Sequence, residues 1–196
     1  MRVLPCGDRA LIIDCASLDE ARRWHAALRQ HDGVDPVLGA RTVLVHGDPA
    51  RLRALIARTR PAELDDTIGE VVDIPVVYDG EDLDEVARLT GLTSQEVIAA
   101  HTGRPWTAAF SGFAPGFVYL AGGDPRLDVP RRSTPRTRVP AGSVGLAGTL
   151  SGVYPRSSPG GWQLIGRTYV PLWDLERDPP ALLRPGARVR FVEVRR

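Results

Sequence analysis

The sequence predicts an α+β protein: a small N-terminal α/β sandwich of ferredoxin-like type, then a C-terminal β-barrel. Two observations carry this. Helical periodicity with recognisable caps runs through the first hundred residues and stops after Trp106. Turn-forming residues then take over, with 12 of the 17 prolines and 13 of the 20 glycines lying in residues 101–196. Proline removes a backbone donor and glycine costs helix stability, so frequent recurrence of both suits short strands and tight turns. The units are expected at residues 1–80 and 81–196, the second opening with a helical hairpin.

In the first unit, Leu11-Ile12-Ile13 reads as a strand. Ser17 with Glu20 forms a capping box, and Ala21, Trp24 and Leu28 follow at helical spacing. Thr42–Val45 is a second strand. Asp48-Pro49 opens a second helix with an N-cap and a first-turn proline, and Leu52, Leu55 and Ile56 form its apolar stripe. Arg51, Arg53, Arg58 and Arg60 are expected on its solvated face. Val71–Val77 is the third strand, expected to close this unit.

Residues 82–102 predict two short helices, started by the pairs Asp82/Glu85 and Thr93/Glu96 and separated by Gly91. The spacing resembles a DNA-binding helix-turn-helix. The charge does not, because Arg88 stands against Asp82, Asp84, Glu85 and Glu96, whereas a DNA reader needs cations for phosphates. A hairpin bridging two domains is the expectation. In the barrel, Pro185-Gly186 marks a turn before a last strand with Val189, Phe191, Val192 and Val194.

A net charge of +1 gives no bulk attraction to nucleic acid or membrane, and no apolar run approaches a membrane span. The expected location is cytoplasmic. Cys6 and Cys15 are too few for a disulfide framework. The chain contains neither lysine nor asparagine. Schiff-base chemistry, a P-loop lysine and a covalently attached biotin are therefore excluded within it.

Common catalytic signatures are absent. Gly142, Gly145 and Gly148 have the wrong spacing for a dinucleotide fingerprint, and Ser143 lacks the nucleophile-elbow pattern. The histidines at 25, 31, 46 and 101 show no metal-ligand spacing, so no metal site is expected. His101 is the only histidine in the second half and a candidate acid or base. Four arginines lie between Pro130 and Pro140, and a rigid backbone can aim guanidinium forks at carboxylate or phosphate. Tyr119, Tyr154 and Trp162 sit at three glycine-rich loops and suggest a pocket floored by rings.

The motifs Gly112-Phe113-Ala114-Pro115-Gly116-Phe117, Tyr119-Leu120, Pro130-Arg131, Pro135-Arg136, Val139–Val144, Tyr154-Pro155, Ser158–Trp162 and Ile165–Thr168 occur in one order along the chain. In them the sequence resembles the KipI-like family, also called allophanate hydrolase subunit 1, which includes the B subunit of 5-oxoprolinase. It departs at Leu150-Ser151-Gly152, where the family usually has Gln-Thr-Gly, and at Tyr169 and Trp106.

The resemblance implies a cyclophilin-like barrel and one component of an ATP-dependent 5-oxoprolinase, inactive alone. The implied partners are a KipA-like protein, which is the C subunit of 5-oxoprolinase, and the LamB/YcsF-type protein that is its A subunit. ATP with Mg would bind at a site shared with a partner. Phosphoryl transfer to a lactam oxygen needs cations around the developing charge. Arg131, Arg136 and Arg167 are the expected cations, His101 the acid or base, and Ser143 and Tyr154 the orienting hydroxyls. Two alternatives remain. One is a component of a biotin-dependent carboxyltransferase of the urea carboxylase type, with biotin carried on a partner protein. The other is a non-enzymatic histidine-kinase inhibitor.

Overall fold

A computed structural model describes residues 1–64 and 71–195, and the chain divides into two compact units, Met1–Thr67 and Ile68–Arg196. In the first unit the elements are β1 (Arg2–Pro5), β2 (Ala10–Asp14), α1 (Leu18–Leu28), β3 (Val37–Leu38), β4 (Thr42–His46) and α2 (Pro49–Arg58). The strands form one antiparallel sheet in the order β1-β2-β4-β3.

Both helices start where their caps require. Ser17 Oγ accepts from the Glu20 amide at 3.1 Å, and Asp48 Oδ1 accepts from the Arg51 amide at 2.8 Å. Leu11, Ile13, Val43 and Val45 alternate into the core, where they meet Ala21, Trp24, Leu28, Leu52, Leu55 and Ile56. The four arginines of the α2 segment are exposed. The edge place that a ferredoxin-like sheet gives to a strand after α2 is held instead by β1, which pairs with β2.

The second unit contains β5 (Val71–Val76), α3 (Leu83–Thr90), α4 (Ser94–Thr102), β6 (Trp106–Ser111), β7 (Val118–Ala121), β8 (Arg136–Val139), β9 (Ser143–Ala147), β10 (Leu150–Val153), β11 (Ser158–Gly160), β12 (Gln163–Arg167) and β13 (Arg188–Glu193). Seven strands run in the order β12-β9-β10-β7-β6-β13-β5, and β8 pairs with β11 in a separate ribbon. The large sheet nearly closes on itself. Val77 exchanges two backbone hydrogen bonds of 2.9 Å with Arg167, and Asp82 N donates to Leu164 O at 2.9 Å.

The expected boundary near residue 80 moves, because β5 belongs to this second sheet. It runs parallel to β13, from Val71 opposite Arg188 to Val76 opposite Glu193, and Arg190 pairs with Asp73 across the two strands. Alternation in 71–77 shows which side chains face inward. It carries no information on which sheet the strand joins.

The helical hairpin is part of the same unit rather than a bridge. Val86, Ala87, Val97 and Ala100 pack into the barrel core with Trp106, Leu120, Leu146 and Phe191. Thr93 and Glu96 make both bonds of a capping box, whereas Asp82, at the N-cap of α3, makes no side-chain cap bond. Among the described residues no helix is long and apolar enough to cross a membrane.

Candidate functional site

The three glycine-rich loops converge on a cavity of about 350 Å³ in the second unit. The β6–β7 loop supplies Phe113 and Phe117, β7 supplies Tyr119, and the segment after β10 supplies Tyr154. Trp162 enters just before β12, and Arg131 from the proline-bounded segment before β8. Phe117 is the hub, with ring centroids 4.9 Å from Tyr119, 5.5 Å from Tyr154 and 5.6 Å from Trp162, all steeply inclined. Edge-to-face packing of this kind suits the quadrupoles of the rings and fixes the walls.

Among the described residues, Arg131 is the one cation lining this cavity. Its neighbours are pinned on both sides. Pro130 O accepts from Gln163 Nε2 at 3.2 Å, and Arg132 N donates to Gly161 O at 2.8 Å. Arg131 is exposed, and among the described residues no carboxylate lies within ion-pair distance of it. Burial pushes the Tyr119 and Tyr154 phenols above their usual range; the nearby Arg131 charge opposes this at both. Both therefore stay protonated at neutral pH and can donate a hydrogen bond.

Four of the sequence-predicted residues thus share one cavity: Tyr119, Tyr154, Trp162 and Arg131. The other four lie elsewhere. Arg136 donates to Asp82 Oδ1 at 2.8 Å and to Glu81 Oε2 at 3.1 Å, so its fork is committed to the barrel seam. Arg132 joins the same Asp82 oxygen at 2.7 Å, while Asp82 Oδ2 accepts from the Leu164 amide at 2.7 Å. Burial would raise the pKa of Asp82, but the Arg136 bond, the Leu164 amide and the two arginine charges outweigh it and hold the carboxyl below its ordinary value. Arg167 pairs with Asp79 and faces a different groove with Tyr169. Ser143 is buried in β9 and does not line the cavity.

His101 is a core residue rather than an acid or base of the cavity. It is wholly buried, its Nδ1 lies 2.7 Å from the Tyr78 hydroxyl, and its Nε2 lies 2.9 Å from Ser151 Oγ. The ring stacks on Phe191 at 4.2 Å, and burial pushes its pKa down to about 3. A histidine one residue from a helix end says nothing of depth. Its satisfaction by residues 23 and 50 positions away is invisible in sequence.

Sequence reasoning missed Phe113 and Phe117 as wall residues. Their signal was the interruption of the glycine–proline pattern by two aromatics four residues apart.

Residues 1–183 match the family described as carboxyltransferase domain, subdomain C and D, and the chain belongs to that family. The chain is 40% identical to the B subunit of 5-oxoprolinase from Haemophilus influenzae, over 98% of this chain and 97% of that one. It is 50% identical to the subunit of the same name from Bacillus subtilis, over 63% of this chain and 53% of the relative, so that match spans about half the relative's length. In fold it is similar to the Kluyveromyces lactis urea amidolyase, with a TM-score of 0.78 and 20% identity, over 98% of this chain and 15% of that one.

Proposed function

We propose that the chain is one component of a cytoplasmic ATP-dependent 5-oxoprolinase, which converts 5-oxoproline, ATP and water to glutamate, ADP and phosphate. It would act with a KipA-like partner, the C subunit of 5-oxoprolinase, and with the LamB/YcsF-type protein that forms its A subunit. The observation that carries this reading is the uncommitted guanidinium of Arg131 beside an aromatic cavity of about 350 Å³. 5-Oxoproline is a small lactam ring with one carboxylate. Its ring suits apolar walls, and its carboxylate suits a bidentate fork. Tyr119 and Tyr154, kept protonated, are the donors for the lactam oxygen.

Arg131, Leu150 and the five aromatic residues lining this cavity offer neither a carboxylate nor an imidazole, so the proton-transfer groups are assigned to a partner protein. The ATP is assigned there as well. A magnesium triphosphate asks for several cations and for carboxylates around the metal. The cavity presents one guanidinium, and among the described residues no group of three or more His, Cys, Asp or Glu side chains gathers. When bound on the partner, ATP supplies the phosphoryl group that activates the lactam.

The test is reconstitution with both partners, followed by 5-oxoproline-dependent ADP release. Omission of this chain should abolish turnover, and Arg131→Lys should cut kcat/KM roughly ten- to a hundredfold, because an ammonium cannot replace the fork. Full turnover without this chain, or none with it, overturns the reading.

The description of the family as a carboxyltransferase domain favours one second reading. There Arg131 would hold the carboxylate of a carboxylated biotin carried on another protein. Carboxyl transfer from such a partner in the same reconstitution, in place of ADP release, supports it.

A further inference from the structure

We propose that Phe113 is the specificity-determining residue of the aromatic cavity, closing over the face of a flat-ring monocarboxylic acid whose carboxylate lies on Arg131. The inference rests on the reading of the cavity as a small-anion site.

Phe113 is an anomaly on two counts. Its φ of +67° makes it the non-glycine residue with a left-handed backbone among the described residues, where a bulky side chain is strained. It is also 58% exposed, so the ring gains little from burial in the free protein. A strained backbone that displays a large apolar ring serves neither folding nor solubility, and such outliers gather at ligand clamps.

The surroundings fit a wall that covers a bound ring. Phe113 stands at 76° to Phe117 and 84° to Tyr154, with centroids at 5.3 and 6.1 Å. It lines the Arg131 cavity on one side and a second hollow, with Trp173 and Leu183, on the other. The segment carrying it is bounded by Gly112 and Gly116 and held by two tight turns, Ala114 N to Gly112 O at 2.7 Å and Phe117 N to Ala114 O at 2.9 Å. Phe113 is thus the exposed face of a box whose other rings are packed. A ring acid would stack under it. The open-chain dicarboxylate formed by ring opening presents no face to cover and brings a second carboxylate and an ammonium to an apolar wall, so it would be held less tightly.

The experiment is calorimetric titration of this chain with 5-oxoproline, benzoate and glutamate, with melting temperatures for Phe113→Gly and Phe113→Tyr. The expected result is that 5-oxoproline and benzoate bind the wild type more tightly than glutamate does. Phe113→Gly should lose at least tenfold in affinity for both ring acids while its melting temperature holds or rises, since the strain is removed. Phe113→Tyr should keep the affinity.

Equal affinity in Phe113→Gly, or a loss matched by a fall in melting temperature, overturns the proposal and leaves the 5-oxoprolinase reading intact. Binding of benzoate but not of 5-oxoproline, still dependent on Phe113, supports the proposal and refutes that reading's substrate. Binding of neither ring acid overturns both.

Discussion

The guanidinium of Arg136 lies 2.8 Å from the carboxylate of Asp82, with side-chain exposures of 15% and 4%, at the point where the barrel wall meets the start of α3. Asp82 occupies the N-cap of that helix without capping it. Its carboxylate instead collects Arg132, Arg136 and the Leu164 amide. The capping bond it forgoes is worth about 1 kcal/mol, whereas breaking a buried ion pair costs about 3–5 kcal/mol, which decides where the side chain points.

Arg131 and Arg136 should therefore respond oppositely to the same substitution. Arg136→Lys keeps the charge but loses the fork that spans Asp82 and Glu81, so a loss of about 1–3 kcal/mol is expected as a lower urea midpoint. Arg131→Lys should leave the midpoint unchanged and weaken 5-oxoproline binding. The two variants measured side by side for midpoint and affinity check this, and a binding defect without destabilisation in Arg136→Lys would contradict it.

The buried His101 predicts an acid-sensitive barrel. Its folded pKa of about 3 lies below the ordinary histidine value of 6.5, so between these limits the unfolded chain binds the extra proton. Stability should be full above about pH 6.5 and decline as the pH falls toward 3, by an amount on the order of 4 kcal/mol. Urea midpoints from pH 7 to pH 5 isolate the upper part, before most carboxylates titrate. His101→Gln should flatten that slope. His25, whose pKa is also lowered by burial, contributes in the same direction, so His25→Gln measures its separate share of the slope.

Barrel closure should depend on Gly80. A Cβ there would lie 2.4 Å from the backbone of Leu164 and Ile165, atoms that cannot swing aside. Gly80→Ala is expected to cost about 1–3 kcal/mol by overpacking and to unprotect the amides of Val77, Gly80 and Asp82 in hydrogen exchange. Unchanged protection of those amides would show that the seam tolerates separation.

Gly160→Ala should close the cavity from the other wall. Its Cβ would lie 2.4 Å from the Tyr154 hydroxyl, and Tyr154 is 2% exposed, so the ring or the backbone at Gly160 must shift, and both line the cavity. Loss of 5-oxoproline binding with a near-normal circular dichroism spectrum is the expected outcome.

What could be read in advance follows the range of the interactions. The helix starts at Ser17, Asp48 and Thr93 depend on partners three residues away, and all three bonds are present. At Asp82 the same local signal failed, because its arginines come from 50 and 54 positions downstream. The ring residues Tyr119, Tyr154 and Trp162 were legible because large aromatics beside glycines have few roles outside a shaped wall. Arg131 and Arg136 look alike in sequence, each following a proline. What separates them is whether a carboxylate waits across the fold. β1 escaped notice because four residues ending in Pro5 show no alternation, and its partner supplies the pattern.

The parallel pairing of β5 with β13 bears on how the second unit is made. Val71–Val76 leaves the ribosome more than a hundred residues before Arg188–Glu193, the strand that must lie beside it. Ile74 and Val76, fully buried in the finished barrel, have no partner along that strand until residues 188–193 have been made. A closure between strands so far apart in sequence makes folding of this unit slow, and leaves an apolar strand open to misassociation while the chain grows.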